Sequence, residues 1–327
     1  MHYLLRRSIQ LINEEPLKIF CLRVIRFVFF EIASVLYRAK KYRIKKIFSK
    51  QKIVKVRLKE NIEMMLDLCD EGLSYELLIN KKREPYVSAL LSQVLKPGEI
   101  VLDIGSNIGY YAILEAKQVG PKGKIYCLEP VPENYRLLKQ NIKLNGLTNI
   151  ETFQIAAGDK TEKKIMYVPK RYNWSSFIKP AGLKTVKQVP VQVVTIDDFL
   201  SDKPLPTFIR MDVEGYELKI LYGMKNLLTS SQPLKIFMEL HPSLLGDETK
   251  KLLNLIRQSG FHIAYITSEP RAEVIAAPYW LQKIYYMLTR QIEFPIGYLD
   301  ITLEKMLQDH KIIKGTSKWL EVIFERT

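Results

Sequence analysis

The middle of the chain alternates between short apolar runs and segments with the spacing of amphipathic helices. The runs IVLDI (100–104), KIYCLE (124–129) and NIETFQIAAG (149–158) predict three strands. The segments 107–120 and 132–145 lie between them and predict helices that end near glycines. This β-α-β-α-β order is typical of a parallel sheet with crossover helices.

The same pattern returns in the second half of the chain after an interruption. Residues 162–194 hold two alternating stretches around the polar loop YNWSSF, which predicts an inserted β-hairpin. Further strands are predicted at 207–212, 234–240, 261–267 and 319–325, and further helices near 216–228 and 247–259. Ahead of the first run, residues 52–59 and 61–68 predict a short hairpin, and residues 85–95 predict a helix.

The N-terminal segment differs from the rest in both hydrophobicity and charge. Residues 17–37 are strongly apolar, and residues 38–59 hold eleven basic side chains and no acidic one. Charged side chains interrupt the apolar stretch, and each one at the centre of a membrane span costs roughly 2.5–3.5 kcal/mol. We therefore expect a helix in a membrane interface, held by the basic run against anionic lipid. A helix that packs on this protein or on a second subunit, or a true span, stays an alternative.

Composition and charge argue against several classes of protein, among them nucleic-acid-binding, zinc-binding and disulfide-rich proteins. Of 327 residues, 47% are hydrophobic, which is enough for a sizeable core. The net charge of +15 comes mainly from residues 1–60, where 16 Lys and Arg face 4 Asp and Glu. Because the rest of the chain is nearly neutral, we expect no nucleic-acid groove in it. The three cysteines are far apart, so neither a zinc site nor a disulfide framework is predicted, and we expect a cytoplasmic protein that can contact the inner face of the membrane.

The loop VLDIGSNIG (101–109) is the strongest candidate for a ligand site. A predicted strand runs into Gly105, so the loop lies where parallel sheets bind ligands, outside the carboxyl ends of the strands. Gly105 is expected to make the turn, and Gly109 to let the helix pack closely on the sheet. A dinucleotide fingerprint needs a further glycine where Asn107 stands, which also argues against a nicotinamide-dependent oxidoreductase.

This loop therefore favours a nucleoside ligand without a diphosphate, for which S-adenosylmethionine is the common example. The residues predicted to bind it from the loop are Asp103, Gly105, Ser106, Asn107 and Gly109. Glu129 ends the second strand, and its carboxylate can accept hydrogen bonds from both hydroxyls of a ribose. Asp159 follows the third strand and can accept an adenine amino group. The alternatives are a capping or turn role for Asp103 and Asp159 and a surface position for Glu129.

Four longer motifs carry a family resemblance: VLDIGSNIGYY, LEPVPENYRLLKQN, IRMDVEGYELKILYG and FMELHP. Together they resemble the FkbM-type S-adenosylmethionine-dependent methyltransferases over residues 70–267, and the D-x-E-G-x-E element at 212–217 is the most specific part. Ser106 stands where the family typically has alanine, a mild departure. The resemblance implies an α/β, Rossmann-like class I methyltransferase fold with a mixed seven-stranded sheet and flanking helices, to which the inserted β-hairpin and the N-terminal helical and hairpin extension are added.

The predicted domains follow from this resemblance. Residues 1–50 form a basic, apolar N-terminal helical extension, and residues 51–98 form a hairpin and a helix that lead into the catalytic domain. Residues 99–327 form the methyltransferase domain, in which 268–315 is predicted to be a variable insertion because it has no clear period.

The resemblance also implies methyl transfer, in many members to a hydroxyl group of a sugar or polyketide. We expect O-methylation of a hydroxyl on a sugar, a glycolipid or another small molecule. An RNA methyltransferase that uses the basic N-terminus, and a membrane-associated binding protein without catalysis, are the alternatives.

Acceptor chemistry is predicted at the ends of the fourth and fifth strands. An alcohol needs a base to take its proton as the new bond forms. The predicted catalytic residues are His241, Asp212 and Glu214, with His241 or Asp212 as the base. The residues predicted to bind the acceptor are Asn173, Trp174, Ser175 and Glu239. The alternatives are a loop histidine bonded to the backbone, carboxylates that cap a helix, and an ordinary exposed turn.

No metal is predicted at this site. Asp212 with Glu239 would be able to supply ligands to magnesium, which some catechol-type methyltransferases use, but no acidic cluster in the sequence looks committed to a metal.

Overall fold

A computed structural model gives the structure of the protein. It describes residues 17–179, 186–267, 302–313 and 319–327, together with the short pieces 274–275, 277–278 and 280–282. The predicted variable insertion at 268–315 falls largely outside the described residues. Those that are described divide into two compact units, one within Met1–Ser49 and Pro270–Leu299, the other within Lys50–Glu269 and Asp300–Thr327.

The first unit contains one long helix, α1 (Leu17–Ile47). Among its described side chains, Phe29 and Ala33 are buried, and they pack in a small apolar cluster with Val274, Ala277 and Leu281. Among the described residues, no helix has the length and apolar character needed to cross a membrane.

The second unit holds all the strands of the described chain. In chain order they are β1 (Ile53–Arg57), β2 (Glu63–Asp67), β3 (Ile100–Ile104), β4 (Lys124–Leu128), β5 (Ile150–Phe153), β6 (Ala156–Ala157), β7 (Glu162–Pro169), β8 (Val186–Val194), β9 (Phe208–Met211), β10 (Leu234–Leu240), β11 (His262–Thr267) and β12 (Leu320–Arg326).

The helices of the second unit are, in chain order, α2 (Leu73–Asn80), α3 (Pro85–Val94), α4 (Tyr110–Val119), α5 (Pro132–Leu144), α6 (Ile196–Phe199), α7 (Glu217–Tyr222), α8 (Lys225–Thr229), α9 (Pro242–Leu245), α10 (Glu248–Gln258), α11 (Leu303–Gln308) and α12 (His310–Ile313). A 3-10 turn at Tyr172–Trp174 follows β7.

The central sheet has seven strands in the order β11-β12-β10-β9-β3-β4-β5. β12 runs antiparallel to both of its neighbours, and the other neighbouring pairs are parallel. Every residue of β9 and all but the first of β3 are buried, as expected for parallel strands covered on both faces. The predicted mixed seven-stranded sheet with flanking helices is confirmed.

The predicted inserted hairpin is also present. β7 and β8 pair antiparallel, and β6 joins them parallel to β8, which makes a separate three-stranded sheet. The core of this small sheet contains Ala156, Met166 and Val193, and Val131 at the start of α5 packs against them. The small sheet is therefore held at the end of the central sheet where α5 begins.

Three predicted elements differ in their bounds. The strand predicted at 149–158 is two short strands, because the chain leaves the central sheet after β5 and pairs with β8 as β6. The helix predicted from 107 begins only at Tyr110, because Asn107 and Gly109 have left-handed backbones with φ of 50° and 88°. The helix predicted near 216–228 is interrupted at Gly223, where a Cβ would lie 1.8 Å from the carbonyl oxygen of Gly158.

The N-terminal hairpin is joined to the central sheet through two asparagines of α5 and its C-cap. Asn141 Oδ1 accepts from the backbone N–H of Met65 at 2.6 Å, and Asn145 pairs in the same way with both backbone groups of Glu63, at 3.0 and 2.7 Å. Because Asn141 also donates to the carbonyl of Ile108 at 2.8 Å, one buried amide connects the hairpin, α5 and the loop after β3.

Candidate active site

A cavity opens at the carboxyl ends of three neighbouring strands. Gly105 and Asn107 follow β3, Glu129 follows β4, and Asp212 and Glu214 follow β9. β4 and β9 lie on opposite sides of β3, so the cavity is at a topological switch point, where open α/β sheets bind ligands. The small sheet and the loop after β7 complete its wall with Ala156, Met166, Tyr172, Asn173, Ser175 and Phe177.

Gly105 brings the loop after β3 against the turn after β9. Its φ is 85°, and a Cβ at this position would lie 2.1 Å from the backbone oxygen of Asp212. Only glycine permits this approach without moving one of the two loops. Gly109 was predicted to bring its helix close to the sheet, but a Cβ there would meet the side chain of Leu138 in α5 at 2.7 Å. Its close contact is therefore with α5.

Glu129 lies in the cavity wall, where the sequence predicts a ribose contact. Its side chain is buried, with Oε2 accepting from the N–H of Asn107 at 2.8 Å and Oε1 from the N–H of Val131 at 2.9 Å. Burial raises the pKa of Glu129 to about 7, although these hydrogen bonds and that of Asn134 act to lower it. Oε1 also accepts from Asn134 Nδ2, whereas Oε2 keeps a second lone pair that a hydroxyl group can use.

Asn134 is a further residue of the cavity wall that the sequence did not single out. It is 1% exposed, and its Nδ2 lies 3.4 Å from Glu129 Oε1. Its Oδ1 has no hydrogen-bond partner among the described residues, so a buried acceptor is left for a ligand. The sequence signal is a polar amide in the first turn of the helix that follows Glu129.

Asp103 and Ser106 are buried but do not line the cavity. Asp103 pairs with Arg210 of β9, with 2.9 Å between Oδ1 and Nη1, and Arg210 Nη2 lies 3.2 Å from Asp212 Oδ2. Ser106 Oγ donates to the carbonyl of Asp103 at 2.9 Å. Asp103, Ser106 and Arg210 therefore fix the loop after β3 and the turn after β9 relative to each other.

Arg210 is the second residue that sequence reasoning missed. It is 3% exposed in a strand whose other residues are apolar, and its guanidinium also lies 4.2 Å from the ring centroid of Tyr111. A single basic residue within the apolar run TFIRMD was the available signal, because a buried charge requires a paired partner.

Asp159 lies away from the cavity wall. Its Oδ2 is 3.3 Å from Lys219 Nζ, and it is absent from the residues that line the cavity. The adenine contact predicted for it has no counterpart in this geometry.

His241 lies at the end of β10 among three carboxylates. Its Nδ1 is 2.9 Å from Glu217 Oε1, and its Nε2 is 3.5 Å from both Glu214 Oε2 and Glu239 Oε1. The ring is 8% exposed and Glu217 is fully buried. The structure thus brings together the predicted residues His241, Glu214 and Glu239, and adds Glu217 to them.

This environment argues against His241 as the base. Burial lowers its pKa, but the hydrogen bonds to Glu217 and Glu239 and the charges of Glu239 and Glu214 raise it well above the usual value. A ring that carries a proton on both nitrogens has no lone pair to accept another. Burial conversely raises the pKa of Glu214 to about 8 and that of Glu239 to about 7.

The predicted acceptor loop lies beside this cluster. Asn173 and Ser175 line the cavity, whereas Trp174 is 45% exposed and has the guanidinium of Arg171 4.5 Å from its ring centroid. Ser176 Oγ donates to the carbonyl of Glu214 at 2.8 Å, so the loop is attached to the turn after β9.

Residues 103–263 match the family of the methyltransferase FkbM domain. This part of the chain is an FkbM methyltransferase domain. The match includes every residue predicted for the site, from Asp103 to His241, and it confirms the resemblance drawn from the motifs. The methyl donor of the FkbM domain is S-adenosylmethionine, so the predicted cofactor is confirmed as well.

Two relatives of the FkbM domain have named activities. The hexuronic acid methyltransferase AglP of Haloferax volcanii is 25% identical over 173 residues, which cover 52% of this chain and 68% of that protein. A protein-L-isoaspartate O-methyltransferase of Ignicoccus hospitalis is 35% identical over 129 residues, which cover 39% of this chain and 60% of that protein.

Solved structures are similar only at a distance. The TYW2 protein of M. jannaschii, in complex with AdoMet, is 14% identical, with 84% of this chain and 86% of that chain covered and a TM-score of 0.42. Because this similarity is low, the fold of the FkbM domain is assigned from the strand order described above and not from the TYW2 structure.

The residues of the FkbM cavity fit S-adenosylmethionine. Glu129 offers a carboxylate and Asn134 an unpartnered oxygen, which are acceptors of the kind that ribose hydroxyls need. Gly105 lets the loop after β3 approach the turn after β9, so that both lie in the cavity wall.

Proposed function

We propose that the FkbM domain of this chain methylates a hydroxyl group on a sugar or glycolipid. The observation that carries the proposal is the cluster at one end of the cavity, where Asp212 and Glu214 line the wall and Glu239 and His241 lie next to them. When bound, S-adenosylmethionine supplies an electrophilic methyl group on a positively charged sulfur. The protein must align the attacking oxygen and accept its proton, and a carboxylate of this cluster is placed to do so.

The other end of the cavity holds the cofactor in this proposal. Glu129 and Asn134 accept the ribose hydroxyls, and Gly105 and Asn107 form the floor of the loop. Asp103 and Ser106 are positioning residues, because their hydrogen bonds reach the loop and Arg210 and not the cavity. Asp159 is left out of the proposed site because it pairs with Lys219.

The loop after β7 supports a sugar as the acceptor. The exposed ring of Trp174 can cover the C–H face of a sugar, and Asn173 and Ser175 offer polar groups at the cavity wall. Arg171, which lies against Trp174, adds a positive charge that suits a sugar carboxylate. AglP, by its name, acts on hexuronic acid, an acidic sugar.

The N-terminal unit supports contact with a membrane surface. α1 exposes Val24, Ile25, Phe27, Val28, Ile32, Val35 and Leu36 to solvent, each at least 39% exposed. Its C-terminal part belongs to the basic run 38–59, where each Lys or Arg near an anionic surface contributes about 1 kcal/mol. We include in the proposal that this unit lies on the inner face of an anionic membrane, which would bring a lipid-linked sugar close.

The first experiment identifies the acceptor. Purified protein is incubated with methyl-labelled S-adenosylmethionine and with separate sugar, glycolipid, protein and RNA fractions. We expect label in the sugar or glycolipid fraction, and we expect it to survive mild alkali because a methyl ether is stable where a methyl ester is hydrolysed. Label in RNA, or label that alkali releases, would contradict the proposal.

A pair of tryptophan variants tests the acceptor loop. Trp174→Ala is expected to raise the KM for the acceptor by about 2- to 12-fold, the equivalent of about 0.5–1.5 kcal/mol of aromatic contact, and to leave cofactor binding unchanged. Trp280→Ala is the matched control, because Trp280 is also exposed, at 62%, and lies in the other unit. Equal KM values for the two variants would remove Trp174 from the acceptor site.

Vesicle sedimentation tests the membrane contact. The protein is expected to sediment with phosphatidylserine-containing vesicles and not with neutral phosphatidylcholine vesicles, and added salt should weaken the binding. The double variant Val28→Ser, Ile32→Ser should bind these vesicles more weakly. Ile165→Ser, at an exposed position of β7, should bind them as the wild type does. Equal binding to the phosphatidylserine-containing and the phosphatidylcholine vesicles would contradict this part of the proposal.

A further inference from the structure

We propose that Asp212, Glu214 and His241 bind one divalent metal cation at the acceptor end of the cavity. Cation binding itself is independent of the proposed function, and only its use, as a ligand for the hydroxyl groups of the acceptor, rests on that function. The sequence alone predicted no metal here. The three residues come together only because β9 and β10 are neighbours in the sheet.

The distances fit a single cation. One ligand atom of each residue lies within 4.8 Å of the others, and His241 Nε2 is 3.5 Å from Glu214 Oε2. Two bonds of about 2.1 Å place ligand atoms about 3.0 Å apart at a right angle and about 4.2 Å apart in line, and bonds of about 2.4 Å widen this to about 3.4–4.8 Å. The three groups therefore need at most a small closure.

The groups around these ligands hold them as metal ligands are usually held. Glu217 Oε1 lies 2.9 Å from His241 Nδ1 and accepts from the N–H of Gly215 at 3.1 Å, which fixes the ring and directs Nε2 to the other ligands. A carboxylate on the second ring nitrogen is the common partner of a metal-binding histidine. Arg210 fixes Asp212 in the same way, at 3.2 Å.

A second, independent observation is the excess of buried negative charge. Glu217 is fully buried, and its Oε2 has no partner among the described residues. Arg210 is shared between Asp103 and Asp212. Among the described residues, His241 is the one basic side chain in ion-pair contact with Glu214, Glu217 and Glu239, and it is neutral when its Nε2 binds a metal. Buried carboxylates without matching cations are costly, and a divalent cation supplies the missing positive charge.

The ligand types indicate a hard cation. Carboxylate oxygens suit Mg²⁺, Ca²⁺ and Mn²⁺, whereas an imidazole suits first-row transition metals. Mn²⁺ belongs to both groups and is therefore the cation used to test the site. Three protein ligands leave open positions on a six-coordinate cation. Because Asp212 and Glu214 line the cavity, a ligand in the cavity can reach these positions, and two neighbouring hydroxyl groups of a sugar can occupy them.

Metal binding is tested on the full chain without cofactor or acceptor. After treatment with a chelator, the wild-type protein is titrated with Mn²⁺, and free Mn²⁺ is followed by electron paramagnetic resonance. We expect one bound Mn²⁺ per chain, and at least tenfold weaker binding in Asp212→Asn and in Glu214→Gln. Asp202→Asn and Glu151→Gln are matched controls, because both residues are in exposed ion pairs with lysines and should bind as the wild type does.

A measurement on the wild type keeps the proposal testable when a variant fails to fold. Bound Mn²⁺ should show spin coupling to one histidine nitrogen. Absence of that coupling, absence of Mn²⁺ binding, or unchanged binding in both folded variants overturns the proposal. Methyl transfer at an unchanged rate in the presence of chelator overturns the use of the cation as a ligand for the acceptor and leaves the proposed function standing. Specific Mn²⁺ binding without methylation of any sugar supports the site and contradicts the proposed function.

Discussion

Replacing Glu129 with glutamine is expected to weaken S-adenosylmethionine binding by about 10- to 150-fold. The reason is the pair of backbone hydrogen bonds on its carboxylate, Oε2 from Asn107 and Oε1 from Val131. In either orientation, a glutamine amide turns its NH₂ group toward one of these N–H donors. The side chain must then move away from the position in which it can accept the ribose hydroxyls.

The magnitude follows from the type of hydrogen bond that is lost. A bond to a charged group contributes about 1.5–3 kcal/mol, and each 1.4 kcal/mol is about tenfold in affinity. The donor that faces the amide loses its acceptor in a buried place, which costs about 1–3 kcal/mol of folding free energy. Glu129→Gln should therefore lower the urea midpoint of unfolding as well as the affinity.

Isothermal calorimetry of S-adenosylmethionine is the assay, with circular dichroism to verify folding. Glu133→Gln is the matched control: Glu133 lies in the first turn of α5, pairs with Lys187 and is outside the cavity wall. If both variants bind the cofactor as tightly as the wild type, the ribose assignment of Glu129 is refuted.

Two further predictions concern pH and a buried ion pair. Burial raises the pKa of Glu129 to about 7, and its anion is a stronger acceptor for ribose hydroxyls than the protonated carboxyl group. The cofactor affinity measured by calorimetry should therefore fall as the pH is lowered through about 7; a flat profile in this range would contradict the assignment. Arg210→Met leaves Asp103 and Asp212 without their cation and should cost about 3–5 kcal/mol in urea unfolding. Asp103→Leu should cost a similar amount, and the double variant less than the sum of the two, whereas strict additivity would deny the pairing.

The central strands and the glycine loop were predictable because their signals are local. β3 and β4 are buried parallel strands, which appear in the sequence as nearly continuous apolar runs, with Asp103 as the exception in β3. Gly105 makes a turn at a strand end, and its neighbour Asn107 excludes a diphosphate-binding fingerprint. Glu129 was predicted because it directly follows an apolar run, which places it at the end of the second strand.

The parts that escaped prediction depend on contacts between distant residues. Arg210 pairs with a partner 107 positions earlier, and no periodicity reports that pairing. The contact of Glu217 with His241 exists only because the turn after β9 folds back on the end of β10, and no local pattern reports it. The ion pair between Asp159 and Lys219 was likewise not visible in the sequence, and the adenine contact of Asp159 stays a prediction.

The position of β12 has a consequence for how the protein is made. β12 lies between β10 and β11, yet it begins 53 residues after β11 ends. At a synthesis rate of about 5–20 residues per second, β12 is made about 3–10 s after β11, and β11 has no strand to pair with during that time. An unpaired strand edge is a template for aggregation. We therefore expect the solubility of the nascent chain to depend on residues 320–326, which lie outside the matched methyltransferase domain.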